Sequence, residues 1–198
     1  MRNVRIFLLS PAHAGGRRAE LLFRDGASFP LARRLQEGES VTLGEVFSFM
    51  SGLYFRGKLA YARRFVHSGG GIYIITTDRG LVSPDTQVTM NDLRAFGTSD
   101  IDVTNPQYRV PLARDASRLA HRAPEVILLG SVATGKYLDL LLEHFGHHLL
   151  FPTEFIGRGD MSRGALLLRA AAEGAELVYQ PIIGSALRGR RASRVSDL

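Results

Sequence analysis

The sequence predicts an α/β domain of three layers, a mostly parallel sheet flanked by helices on both faces. Two patterns lead there: short apolar runs bounded by turn residues, and helical segments that alternate with those runs along the chain. The third observation is size. A chain of 198 residues, 45% of them hydrophobic, carries enough apolar side chain for one buried core.

The elements follow in order. Residues 3–9 (NVRIFLL) stop at Ser10 and Pro11 and read as a buried first strand. Residues 17–23 follow Gly15 and Gly16 as a short helix, whereas residues 26–38, interrupted by Pro30, read as irregular. Leu43, Val46, Phe47, Met50, Leu53 and Tyr54 recur at helical spacing, and Thr42 with Glu45 three residues on is a capping-box signature. The helix is expected to restart at Gly57, run to Val66 and end in the glycine cluster of residues 68–71. Residues 72–76 (IYIIT) form the second strand. Residues 77–89 are polar, carry Ser83-Pro84-Asp85 and read as a functional loop too long for a hairpin turn.

A helical turn at residues 91–96 and an extended stretch at 105–111 lead into an arginine-decorated helix over 112–121. Residues 125–129 (EVILL) are a strand, 130–136 a tight turn and 137–145 a helix closed by Gly146. A strand at 148–151, a helix at 161–172 ended by Gly174, and a last strand at 176–182 complete the pattern. Residues 1–187 are expected to form a single α/β domain. Residues 188–198 (RGRRASRVSDL), with four arginines and no periodicity, read as a basic, disordered tail.

Composition narrows the chemistry. There is no cysteine, which removes disulfides, thiolate nucleophiles and thiolate-held metals, so any metal would need His and carboxylate ligands. His144, His147 and His148 cluster near Glu143, but Gly146 breaks the helix between them, and they read as a solvated helix end; no metal and no cofactor is expected. The apolar runs fall well short of the roughly 20 residues that span a bilayer, and the first ten residues lack a signal-peptide core. The reading is therefore a cytoplasmic protein with no membrane partner.

The charge is +6, with a pI near 10.1, and Lys58 and Lys136 are the only lysines among the 25 basic residues. Such a balance suits a nucleic-acid or nucleotide partner, and arginine's planar fork suits phosphates and base edges.

Three segments at predicted strand ends could carry function. Gly130-Ser131-Val132-Ala133-Thr134-Gly135-Lys136 fits the phosphate-cradling pattern G-x-x-x-x-G-K between a strand and a helix. Tyr137 stands where that motif needs a magnesium-holding Ser or Thr, which removes an ATP-hydrolysing P-loop. What remains is an anion site of backbone amides with Ser131, Thr134, Gly135 and Lys136. Ser10 to His13 sits at the carboxyl edge of the first strand, where open α/β sheets bind ligands, and places His13 as a proton carrier. Arg158, Ser162 and Arg163 bracket a helix start, with Asp160 as its N-cap, and form a second anion site.

These segments resemble the YaaA-type peroxide-stress family. Leu9-Ser10-Pro11-Ala12-His13 resembles its S-P-A-K, and Val132 to Tyr137 its L-A-S-x-E-Y stretch. Gly157-Arg158-Gly159-Asp160-Met161-Ser162-Arg163 is similar to A-R-G-x-M-S-R, and Asp78 to Pro84 to G-L-Y-G-x-L-x-P. The chain carries His13 where the family has lysine and Lys136 where it has an acid, and shows no helix-hairpin-helix insert. The resemblance implies a shared fold and DNA protection under stress, and through relatives that accompany 7-deazaguanine-forming enzymes it implies nucleobase chemistry.

One pocket is expected from Ser10–His13, residues 130–137 and residues 158–163. In it Arg158 and Arg163 hold a phosphate, His13 and Lys136 transfer protons, and Tyr137 orients or stacks. The expected function is a nucleic-acid- or nucleotide-binding protein, with DNA protection or stress response as the role the resemblance implies. The alternative is a hydrolase or transferase that modifies a nucleobase; the sequence alone leaves open whether the chain is an enzyme.

Overall fold

A computed structural model describes residues 4–98, 101–122, 125–132 and 136–185. Its centre is a six-stranded sheet. β1 (Arg5–Leu9), β3 (Gly71–Ile75), β6 (Glu125–Leu129) and β7 (Leu149–Pro152) run parallel, and β4 (Leu81–Val82) and β8 (Tyr179–Pro181) close the two edges antiparallel, in the order β4-β3-β1-β6-β7-β8. β2 (Val41–Thr42) and β5 (Gln87–Val88) pair separately. Phe7, Leu8 and Leu9 are wholly buried, as are Val126 to Leu129, so these central strands are covered on both faces.

Helices supply the cover. α4 (Leu53–Phe65) lies on β1, where Tyr61 meets Phe7 edge-on at 6.0 Å, and α8 (Asp160–Glu173) packs along α4. α6 (Pro106–Ala120) and α7 (Leu138–Phe145) pack together in the opposite layer. α1 (Arg17–Phe23), α2 (Pro30–Gln36), α3 (Leu43–Ser51) and α5 (Met90–Thr98) fill the connections. The three-layer, mostly parallel architecture is therefore the one that the alternating pattern predicts. No helix among the described residues is long and apolar enough to cross a membrane, and no cluster of His, Asp and Glu there could hold a metal ion.

The capping box at Thr42 is present in part: its Oγ1 accepts from the Glu45 N–H at 3.3 Å and starts α3. Thr42→Ala should lower stability by about 1 kcal/mol, read as a reduced urea midpoint with an unchanged slope.

The departures cluster at proline and glycine. Residues 30–36 are a helix, because Pro30 occupies its first turn, where no N–H is needed. Residues 106–111, expected extended, are the first turns of α6. Asn105 caps them by accepting from the Gln107 N–H at 3.0 Å, and buried Tyr108, Leu112 and Ala116 form one stripe that outweighs the bond lost at Pro111. The break between α3 and α4 falls at Gly52 (φ 62°), leaving Gly57 inside α4. Residues 76–80 turn back as a hairpin, with β4 pairing on β3, and the rest of the stretch to 89 carries β5 to its pairing with β2. The last strand is antiparallel, and Asp160 is the first residue of α8 rather than its cap, which is Gly159. The basic tail, residues 188–198, lies outside the described residues.

Strand order places the ligand edge. The chain passes from β1 to β3 on one side and then returns beyond β1 to β6 on the other, so the direction of winding reverses between β1 and β6. In open α/β sheets the crevice beyond the carboxyl ends of such a pair is where ligands bind.

Candidate functional site

Ser10 is the first residue past β1 and extends the ladder by donating its N–H to Leu129 O at 3.2 Å. It sits at the winding reversal with 9% of its surface exposed. α4 passes above it and delivers Lys58, whose Nζ donates to Ser10 O at 2.6 Å and to Ser10 Oγ at 2.9 Å. The Lys58 ammonium lies 4.5 Å from the centre of the Tyr54 ring, one helical turn earlier, and 5.0 Å from that of Phe55. No carboxylate lies within ion-pair distance of it among the described residues.

From the far side, Tyr137 precedes α7 and donates its hydroxyl to Ser131 O at 2.9 Å while lying against the Ser10 side chain. Gly130 permits this closure. A Cβ there would stand 2.8 Å from Tyr137 Oη and 2.9 Å from Ser10 Cβ. The result is a continuous polar chain, Lys58 to Ser10 to Tyr137 to the Ser131 carbonyl, laid across the reversal.

α8 brings the cation. Arg163 is 14% exposed, donates from Nε and Nη2 to Phe155 O at 3.3 and 3.1 Å, and lies 3.8 Å from Asp160 Oδ1. Its guanidinium faces the oxygen of the buried Tyr54 hydroxyl as a donor, and the proton of that hydroxyl has no acceptor among the described residues. An orphaned donor beside a guanidinium is a demand for an acceptor.

Burial sets the protonation states. It pulls the Lys58 ammonium down to about 7, against the weaker opposing pull of Asp160. It pushes the Tyr137 hydroxyl up to about 12, opposed by its contacts with Ser10 and Ser131, and raises Tyr54 despite Arg163. At neutral pH both tyrosines are donors, Arg163 is charged, and Lys58 can take or give a proton. The arrangement can hold an anion and move a proton.

Of the three segments expected to converge, Ser10, Ser131, Tyr137 and Arg163 come together. Thr134 and Gly135 lie outside the described residues. Arg158 is exposed and donates to Glu154 O at 2.9 Å and to Ser162 Oγ at 3.1 Å, which ties Ser162 to it on the outer rim. His13 and Lys136 are exposed and outside the hydrogen-bonded chain; the proton-bearing amine within it is Lys58. Neither Lys58 nor Tyr54 was singled out by motif. Their signal is positional: Tyr54, Lys58, Tyr61 and Phe65 share the buried stripe of α4.

Past the neighbouring strand β3, a cavity of about 610 Å³ is lined by Asp78, Ala95, Gln107, Val110, Pro111 and Arg114, among others. α6 joins the two places. Gln107 and Val110 line the cavity, while Tyr108, between them on α6, is buried and lies near Tyr137.

Fold and crevice together define an open, doubly wound α/β protein with a buried amine–hydroxyl chain at its winding reversal. Compared with known proteins, the chain matches no family model, no curated protein and no solved structure.

Proposed function

We propose that the protein binds a nucleotide or nucleic acid, with a phosphate oxygen seated between the Arg163 guanidinium and the Tyr54 hydroxyl. The buried Tyr54 hydroxyl carries the reading, because a phosphate gives its proton the acceptor it lacks and meets the Arg163 guanidinium beside its longer contact with Asp160. The start of α8, whose Asp160 acts electrostatically on Tyr54, brings the positive end of its dipole near the same place. The cavity along α6, where Val110 and Pro111 stand beside Asp78, Gln107 and Arg114, offers room and polar edges for a base, and the net charge of +6 favours a polyanion. Resemblance to the YaaA-type proteins supports a role in DNA protection.

The test is binding of mononucleotides, single-stranded DNA and duplex DNA at two salt concentrations to wild type, Arg163→Ala and Tyr54→Phe. Both substitutions should weaken binding at least tenfold, and Arg163→Ala should also flatten the salt dependence. Salt-sensitive binding that neither substitution changes would sink the crevice and leave a basic surface as the binding element.

A second reading is favoured by the Lys58–Ser10 pair: an enzyme acting on a nucleotide or nucleobase. A buried amine that titrates near neutrality against a hydroxyl at a ligand edge is an arrangement that catalysis uses and stability alone does not need.

A further inference from the structure

We infer that Ser10 is a nucleophile for the phosphorus of a phosphoester and that Lys58 is its base. The substrate class rests on the nucleotide-binding reading; the reactivity of Ser10 does not. Three observations of geometry carry it. Lys58 Nζ stands 2.9 Å from Ser10 Oγ, within reach for direct proton transfer. Its second bond, 2.6 Å to Ser10 O, fixes the amine against the same residue, so the two atoms hold one register. Tyr137, anchored on Ser131 O, lies against the Ser10 side chain and orients it, and Gly130 clears the space in which the three meet.

Burial makes Lys58 suitable. An exposed lysine is charged at neutral pH and can only donate, whereas Lys58 is 1% exposed and, among the described residues, has no carboxylate within ion-pair distance, Asp160 opposing its burial only weakly from farther off. Once neutral, Nζ accepts from the Ser10 hydroxyl across the same 2.9 Å. A serine with a lysine base is a known variant of the hydroxyl nucleophile.

The step balances as follows. Ser10 Oγ bonds to phosphorus, its proton passes to Lys58 Nζ, and the leaving oxygen departs with the bonding pair and takes a proton from water. Water then attacks the phosphoserine, Ser10 Oγ leaves and recovers the proton from Lys58, and the proton of the attacking water goes to solvent. Arg163 and Tyr54 offset the charge on the non-bridging oxygens.

The experiment uses the full chain and a fluorophosphonate, a phosphorus electrophile whose leaving group is fluoride, with adducts located by peptide mass spectrometry. Wild type should gain one adduct at Ser10, at a rate that rises with pH through about 7. Lys58→Met should slow it by ~100-fold or more, and Ser10→Ala should abolish it. Tyr137→Phe, which keeps the ring and the packing, should slow it by a smaller factor. No adduct at Ser10 in wild type, or labelling as fast in Lys58→Met, overturns the assignment. A wild-type rate that is flat from pH 5.5 to 9 does the same without relying on any variant. Mononucleotide added in competition separates the two readings. Protection of Ser10 supports both, whereas Ser10 labelling that no nucleotide slows keeps the nucleophile and overturns the nucleotide-binding reading.

Discussion

Between pH 7 and 10 the wild-type protein should become more stable as pH rises, and Lys58→Met should remove most of that gain. The buried ammonium titrates near 7 in the folded chain and near 10.5 when unfolded. Below pH 7 both states carry the proton, so folding must desolvate a charge that no carboxylate among the described residues meets within ion-pair distance, Asp160 offsetting it only weakly. Between the two values the unfolded state binds more protons than the folded one, and stability climbs with pH. The full interval is worth on the order of a few kcal/mol. Above about pH 10 the tyrosines act in the opposite direction: Tyr137, raised to about 12, keeps its proton longer when folded, so its contribution is lost as pH rises through that value. A maximum near pH 9 to 10 follows. Urea midpoints at pH 6.5, 8 and 9.5 measure it, and midpoints that rise equally in wild type and Lys58→Met would show that the lysine titrates as if exposed.

Ser10 and Arg163 were legible because strand ends and helix starts announce themselves. An apolar run stopped by Ser-Pro, or a glycine and an acid ahead of a helical stripe, fixes where the backbone changes direction, and ligand edges lie there. Tyr137 followed from the same logic one strand further on. Lys58 escaped because residue type argues against burial, and only register argues for it: it falls four residues after Tyr54 and seven before Phe65, on the stripe that faces the sheet. Lys136 drew attention through a glycine-rich pattern, yet it is exposed, since pattern gives no side-chain direction in a turn.

The fold was legible wherever the apolar period was strong and unbroken, as in β1, β3, β6 and α7. Pattern and structure part at the prolines. Pro30 and Pro106 open helices, and Pro111 is carried inside one by the burial of Tyr108, Leu112 and Ala116 around it. Direction at the sheet edge was beyond the sequence. β8 is too short for its pattern to distinguish a crossover from a return, and it folds back antiparallel on β7.

Gly57→Ala and Gly164→Ala should each destabilise the protein by about 2 to 3 kcal/mol, although alanine is the better helix former by roughly 1 kcal/mol. The crossing of α4 and α8 decides the sign. A Cβ on Gly57 would stand 2.6 Å from Gly164 O, and one on Gly164 would stand 2.8 Å from Tyr54 Cα and 2.9 Å from Leu53 C. All three obstacles are backbone, so no side chain can swing clear and the helices must separate. That crossing also sets the crevice, because the residue after Gly57 is Lys58 and the residue before Gly164 is Arg163. Widening it moves Lys58 and the Arg163 guanidinium apart while both remain present. On the proposed nucleotide-binding reading, each variant should therefore lose affinity beyond what its stability explains, measured where it is still fully folded. The double variant should be less destabilised than the sum of the two, since one displaced helix relieves both clashes. Urea unfolding of the three variants decides the matter: a gain of about 1 kcal/mol in either single would mean that propensity wins and the helices do not meet backbone to backbone.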